Sequence, residues 1–259
     1  MMMLLAEQAD AVRQIQNICG RLTVDVVVIG AVAYRLWVQD QYRMTEDVDL
    51  VVALDLVDLP RLTEPLIASG WRRDPRREHR WISPSRARID LLPAGVRARR
   101  DRYLDWPLAE TRMSLVGFDH VFQDAVEREL APGLVGKVVP LVVLTLLKIV
   151  SYLDQPAVRQ KDLDDLAAIV EVYEQDGELR FSDEVLDGGV DYNEAGAYLL
   201  GRDLARLCTE HDERDAVERF LDAIRQSDEG DEEPSTRAER FARQGNALAR
   251  GWASGRARN

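Results

Sequence analysis

The chain has 259 residues, 46% of them apolar, and a formal net charge of −12, enough for a sizeable core in one large or two modest domains. An acidic chain is not an obvious nucleic-acid binder, so any such binding must rest on a local basic patch. Its two cysteines, Cys19 and Cys208, lie far apart in no metal-ligand spacing, which excludes a disulfide framework and fits a reducing cytosol.

In chain order, residues 4–18 read as a helix, with Leu5, Val12, Ile15 and Ile18 near helical spacing. TVDVVVIG is a short β-branched run ending in glycine, a buried strand and a tight turn, and AVAYRLWVQD reads as the helix after it. DVDLVVAL is a second buried strand. Residues 59–69 form a helix with Pro60 early and Gly70 at its end. HRWISPSRARIDLLPAG reads as two strands around a Ser-Pro-Ser turn, and strands and helices mix up to about residue 138. Helices follow: PLVVLTLLKIVSYLD, RQKDLDDLAAIVEVYEQDG, YNEAGAYLLGRDLARLC and ERDAVERFLDAIRQ. SDEGDEEPST is a charged linker, and the arginine-rich tail 237–259 reads as one helix around Phe241, Leu248 and Trp252. MMMLL is too short for a signal peptide, and LVVLTLLKIV, interrupted by Lys148, is too short to span a bilayer. A cytoplasmic protein with no membrane partner is expected.

The stretch RMTEDVDLVV poses the chemical question. Asp47 and Asp49 are two apart, so in a strand both carboxylates point to one face and repel. A divalent cation makes such a pair tolerable. Mg²⁺ prefers hard oxygen ligands and takes substrate phosphates as the remaining ones. A third carboxylate on a neighbouring strand completes a two-metal clamp for phosphoryl transfer, and Asp90 in ARIDLL is the candidate. Upstream, a strand, Gly30 and a helix make the arrangement that presents free backbone N–H groups to a phosphate. The chain has three lysines, Lys137, Lys148 and Lys161, against 31 arginines. A lysine chosen in that setting hints that a compact ammonium is wanted. His79, His120 and His211 form no metal or triad spacing and read as ordinary surface or loop residues; the tryptophans read as core.

VVVIGAVAYRLW, RMTEDVDLVV and RIDLL, taken in order, resemble the nucleotidyltransferase superfamily: a Gly-Gly or Gly-Ser turn, D-x-D and a third Asp. Downstream, LTLLKIVSYLDQPAVRQKDLDDLAAIV resembles the closing motifs of the AbiEii/AbiGii toxin family within it, a lysine on one helix and a K-D-x-x-D-L run on the next. The resemblance covers roughly residues 20–175, and departs at Ala31, where the pattern has a second Gly or Ser.

The resemblance implies a nucleotidyltransferase-like α/β (α+β) fold, a mixed sheet with flanking helices plus a helical C-terminal region. The expected divisions are a catalytic core at 1–138, helices completing the cleft at 139–226, and an acidic linker with an arginine-rich tail at 227–259. The implied reaction moves an NMP from an NTP to an acceptor hydroxyl with Mg²⁺ (or Mn²⁺). Asp47, Asp49 and Asp90 then hold metal, and Asp90 helps deprotonate the acceptor. Gly30 and Ala31 offer N–H groups to the nucleotide phosphates, and Lys148 meets the triphosphate. Asp162 and Asp165 share a helix face and orient a base or hold Lys148 or Lys161. Arg43 anchors the D-x-D loop or touches phosphate. The implied partners are NTP, a cognate antitoxin, and tRNA or other RNA as acceptor. The rivals are a small-molecule acceptor such as an aminoglycoside, a protein side chain, or a degenerate nucleotide-binding partner. For an RNA substrate the tail is the expected basic patch; docking through its apolar residues is the alternative.

Overall fold

The structure, a computed structural model, describes residues 4–39, 45–175, 177–226 and 237–257. The chain divides into two compact units, Met1–Pro140 and Leu141–Asn259.

The first unit opens with α1 (Ala6–Leu22), whose Val12, Ile15, Ile18 and Cys19 are buried at helical spacing. Then come β1 (Val26–Val28), α2 (Gly30–Val38), β2 (Asp47–Val52) and α3 (Pro60–Ala68). Short β3 (Arg72–Arg73) and β4 (Arg80–Ile82) lead to β5 (Arg88–Pro93), α4 (Val96–Asp101) and the hairpin of β6 (Tyr103–Trp106) and β7 (Thr111–Ser114). α5 (Phe118–Gln123), β8 (Val126–Ala131) and β9 (Leu134–Val138) complete the unit. The main sheet runs β3-β4-β5-β2-β1-β9-β8. β2 pairs β5 in parallel and β1 antiparallel, so the strand bearing Asp47 and Asp49 lies in the interior of the sheet. Its apolar half, Leu50, Val51 and Val52, is fully buried, as a strand covered on both faces requires.

The second unit is helical: α6 (Leu141–Asp154), α7 (Gln160–Val172), short α8 (Asp183–Asp187), α9 (Tyr192–Leu207), α10 (His211–Gln226) and α11 (Arg237–Ala257). Arg180 is buried and donates to the carbonyls of Glu171 (2.8 Å) and Tyr173 (2.7 Å), satisfying acceptors that the end of α7 leaves open. α11 packs along α9. A Cβ at Gly251 would collide with the backbone carbonyl of Tyr198, so glycine lets the two helices approach this closely.

The expected architecture, a mixed sheet with flanking helices followed by a helical region, is the one observed. The first strand is shorter than its apolar run, Val26–Val28, and β3, the β6–β7 hairpin and β8–β9 were not individually anticipated. The linker 227–236 lies outside the described residues. The tail takes the docked form, with Leu248 and Trp252 buried in the helical unit. None of the helices in the described residues is long and apolar enough to cross a membrane. Both cysteines are buried, free thiols; burial pushes Cys19 up to about 11 and raises Cys208 further, leaving neither reactive at neutral pH.

Candidate active site

Strand register gathers the three aspartates. In the parallel pair β2–β5, Asp49 stands opposite Asp90 and Asp47 opposite Arg88. In the antiparallel pair β4–β5, Arg80 stands opposite Asp90. Residues paired this way share one face, about 5 Å apart at Cβ. Arg80, Asp90 and Asp49 therefore form a row across three strands, and Asp47 lies two residues along the same face.

The like charges are held by Arg80. Its Nε donates to Asp90 Oδ1 (2.7 Å) and its Nη2 to Asp90 Oδ2 (2.8 Å), a two-toothed clasp. The same Nη2 also donates to Asp47 Oδ2. Asp47 Oδ1 accepts from the Thr45 hydroxyl at 2.8 Å. The bond to Asp90, ahead of the burial that opposes it, raises the Arg80 guanidinium above its already high range. Asp47 keeps 28% of its side chain exposed, against 8% for Arg80 and for Asp90, so the cluster is open on the Asp47 side.

α2 begins against Asp49. Gly30 has φ +62°, and a Cβ there would overlap Asp49 Oδ2 and come within 2.8 Å of its Cγ. Glycine is required on both counts. The Ile29 amide donates to the Asp49 carbonyl at 3.0 Å, fixing the turn to β2. Ala31 is the second residue of α2. Arg43 lies outside the described residues.

In the helical unit, Lys148 of α6 is buried and donates to Asp162 Oδ1 (3.1 Å) and Asp165 Oδ2 (2.5 Å) of α7. The i, i+3 spacing places both carboxylates on one helix face, as expected. Asp162 Oδ2 is buried without a hydrogen-bond partner among the described residues. Lys161 is exposed, and Lys137 pairs with Asp25 at 2.5 Å.

Sequence reasoning missed two neighbours of the carboxylates. Arg80 carried no signal beyond belonging to HRW. His79, read as an ordinary surface or loop residue, is half-buried; its Nε2 lies 3.6 Å from Asp90 Oδ2, too far for a hydrogen bond, and its ring packs on Trp106 at 5.5 Å. Burial lowers its pKa, and the negative Asp90 opposes the shift only in part. A second basic stretch, besides the tail, lies in the sheet unit. Residues 72–112 hold twelve arginines against six acids. Of these, Arg72, Arg76, Arg77, Arg86 and Arg97 are exposed, with no ion pair among the described residues. A concavity of about 400 Å³ lined by Asp55, Arg97 and Tyr103 lies beyond the carboxyl end of β2, at the other end of the strand from Asp47.

The sequence pattern of the family described as "Nucleotidyl transferase AbiEii toxin, Type IV TA system" matches residues 18–253. The chain belongs to the AbiEii family. No curated protein matches this AbiEii chain. Among solved structures it is similar to an antigenic nucleotidyltransferase-like protein from Paracoccidioides brasiliensis, at 20% identity and a TM-score of 0.44, over 64% of this chain and 77% of that one. It is also similar to the antibiotic-resistance factor ANT(2'')-Ia, at 12% identity and a TM-score of 0.41, over 64% of this chain and 83% of that one.

The AbiEii family brings with it the expectation of a divalent cation. The donor chemistry fits, since the carboxylates are hard oxygen ligands. One nitrogen of Arg80 touching both Asp47 and Asp90 shows that their oxygens converge on one cation. The arrangement fits less well: among the described residues no three His, Cys, Asp or Glu side chains are gathered so that they could hold a metal as they stand.

Proposed function

We propose that this AbiEii-family chain moves an NMP from an NTP to an acceptor hydroxyl in a Mg²⁺- or Mn²⁺-dependent reaction. RNA is the acceptor, with tRNA the first to test, and a cognate antitoxin restrains the activity. The observation that carries the proposal is the register of β2 on β5, which brings Asp47, Asp49 and Asp90 onto one face. In the reaction the acceptor oxygen attacks the α-phosphorus as the bond to the bridging oxygen breaks. Pyrophosphate leaves with that electron pair.

On this reading Asp47, Asp49 and Asp90 hold the cation, which neutralises phosphate charge and orients the phosphates. Asp90 takes the acceptor proton; each of its oxygens has a lone pair beyond the one given to Arg80. Gly30 lets the Asp49 carboxylate lie against the start of α2, and the amides of Gly30 and Ala31 are the proposed phosphate donors. Lys148, Asp162, Asp165 and Lys161 keep the roles that the resemblance implies. The acceptor reading is supported by the exposed arginines between 72 and 112, since phosphate contacts dominate RNA affinity.

A second reading, a nucleotide-binding partner without transfer, has the Arg80 clasp and Ala31 in its favour. Incubation with α-labelled NTPs and total RNA, with Mg²⁺ or with EDTA, separates them. Label in RNA only with Mg²⁺, abolished in Asp49→Ala, is the expected result. Nucleotide binding with no label in RNA, protein or small molecules would support the second reading.

A further inference from the structure

We infer that Arg80 is a resident counter-cation which a divalent ion must displace from Asp47, so that the chain sets its own threshold for metal. The inference rests on the metal-dependent reading above and deepens it. Three observations carry it.

First, Arg80 Nη2 lies where a cation shared by Asp47 and Asp90 would lie, since it donates to an oxygen of each. A guanidinium and a divalent ion cannot both take that place. Second, the two contacts differ in how easily they yield. Asp90 is buried and gripped at both oxygens, whereas Asp47 is held by one nitrogen and is the most exposed of the three groups. Two charge-assisted bonds in a dry setting outlast one at a wet edge. The contact to Asp47 is the one given up, and the fork on Asp90 persists. Third, the Thr45 hydroxyl donates to the other oxygen of Asp47 at 2.8 Å, so that carboxylate keeps a partner when the guanidinium lets go. The guanidinium keeps like charges together in the metal-free chain. An ion arriving alone meets carboxylates already neutralised; one arriving with nucleotide brings phosphate ligands that tip the exchange.

The test uses Mn²⁺ as the probe, titrated without nucleotide and followed by the loss of its free-ion paramagnetic resonance signal. Wild type, Arg80→Gln and Arg80→Lys are compared. Removing a unit positive charge about 4 Å from the ion strengthens its binding, so Arg80→Gln is expected to bind Mn²⁺ about tenfold tighter or more. Arg80→Lys, whose single ammonium cannot keep the two-toothed fork on Asp90 while also reaching Asp47, falls between. Should Arg80→Gln fail to fold, Arg80→Lys decides. The wild type gives a second readout: the Arg80 Nε–H resonance, assigned by its loss in Arg80→Lys, moves on adding Mg²⁺ but stays slow to exchange, because the Asp90 contact holds. Equal or weaker Mn²⁺ binding in the variants would overturn the inference and leave the metal-dependent reading standing. No Mn²⁺ binding in any of the three proteins would overturn both.

Discussion

Two clusters in this molecule share a cation between two aspartates, and they are built differently. In the sheet unit, Arg80 spans Asp47 and Asp90, which are brought together by pairing between strands. In the helical unit, Lys148 spans Asp162 and Asp165, which are brought together by spacing along one helix. The sheet cluster is open, with Asp47 28% exposed. The helical cluster is closed, its three side chains being 9%, 6% and 4% exposed. A closed pair has no cheap alternative partner, because water cannot replace the lost charge. An open pair can exchange its counter-ion. The difference teaches how readily each cluster trades its counter-ion: Asp47 reaches water, whereas Lys148, Asp162 and Asp165 are held out of it.

The comparison breaks most readily at Lys148. Lys148→Met would strand two buried carboxylates, and a broken buried pair costs about 3–5 kcal/mol. Arg80→Met should cost less, about 1–3 kcal/mol, because it strands only one buried carboxylate, Asp90, while Asp47 can turn to water. Urea unfolding of the two variants measures both. Equal losses, or a larger one for Arg80→Met, would mean that exposure does not distinguish the clusters. Lys148→Arg should recover only part of the loss, since a planar fork does not fit where a compact ammonium sits.

Within the sheet cluster a smaller contrast sharpens the picture. Asp90→Asn weakens both bonds of the Arg80 fork and should cost about 1–3 kcal/mol in stability. Asp49→Asn leaves the Arg80 fork on Asp90 intact and should cost less than Asp90→Asn. Both variants should lose transfer. Thermal melting without metal, beside the labelled-NTP assay, distinguishes them; a sharp fall for Asp49→Asn would make that carboxylate structural.

How much of this was legible follows from the range of each interaction. Asp47, Asp49 and the apolar run after them are adjacent in sequence, and so is the i, i+3 pair on α7. Lys148 stood out because lysine is rare in an arginine-rich chain. Gly30 was read from its place between strand and helix, but not its contact with Asp49, which depends on how α2 packs on β2. Arg80 was not legible, because its partners are 10 and 33 residues away and meet it only through β4–β5–β2 pairing. A register shifted by one residue would turn Arg80 to the other face. The basic stretch was hidden for another reason. Summing over the whole chain gives −12, which masks a local excess of six positive charges between 72 and 112.

The two basic stretches yield the last prediction, with the smallest effect per residue. The exposed arginines of the sheet unit and the arginines of α11 make opposite claims on RNA. Arg72, Arg76, Arg77 and Arg86 have no ion pair among the described residues, so replacing all four by alanine should shift stability by less than about 0.5 kcal/mol each. If they contact phosphate, each adds about 0.7–0.9 to the slope of log affinity against log salt, and the four together about 3. The quadruple variant should therefore bind total tRNA more weakly at low salt, with a slope shallower by about that amount. Deleting residues 237–259 should do the reverse. Leu248 and Trp252 are buried, so the truncated chain loses stability and exposes an apolar groove on α9, while the salt slope per folded molecule stays the same. Filter binding from ~50 to 200 mM salt, corrected for the folded fraction, reads both effects. An unchanged slope in the quadruple variant, with a shallower one in the truncation, would move the RNA contact to the tail and leave the sheet unit's arginines as solvated charge.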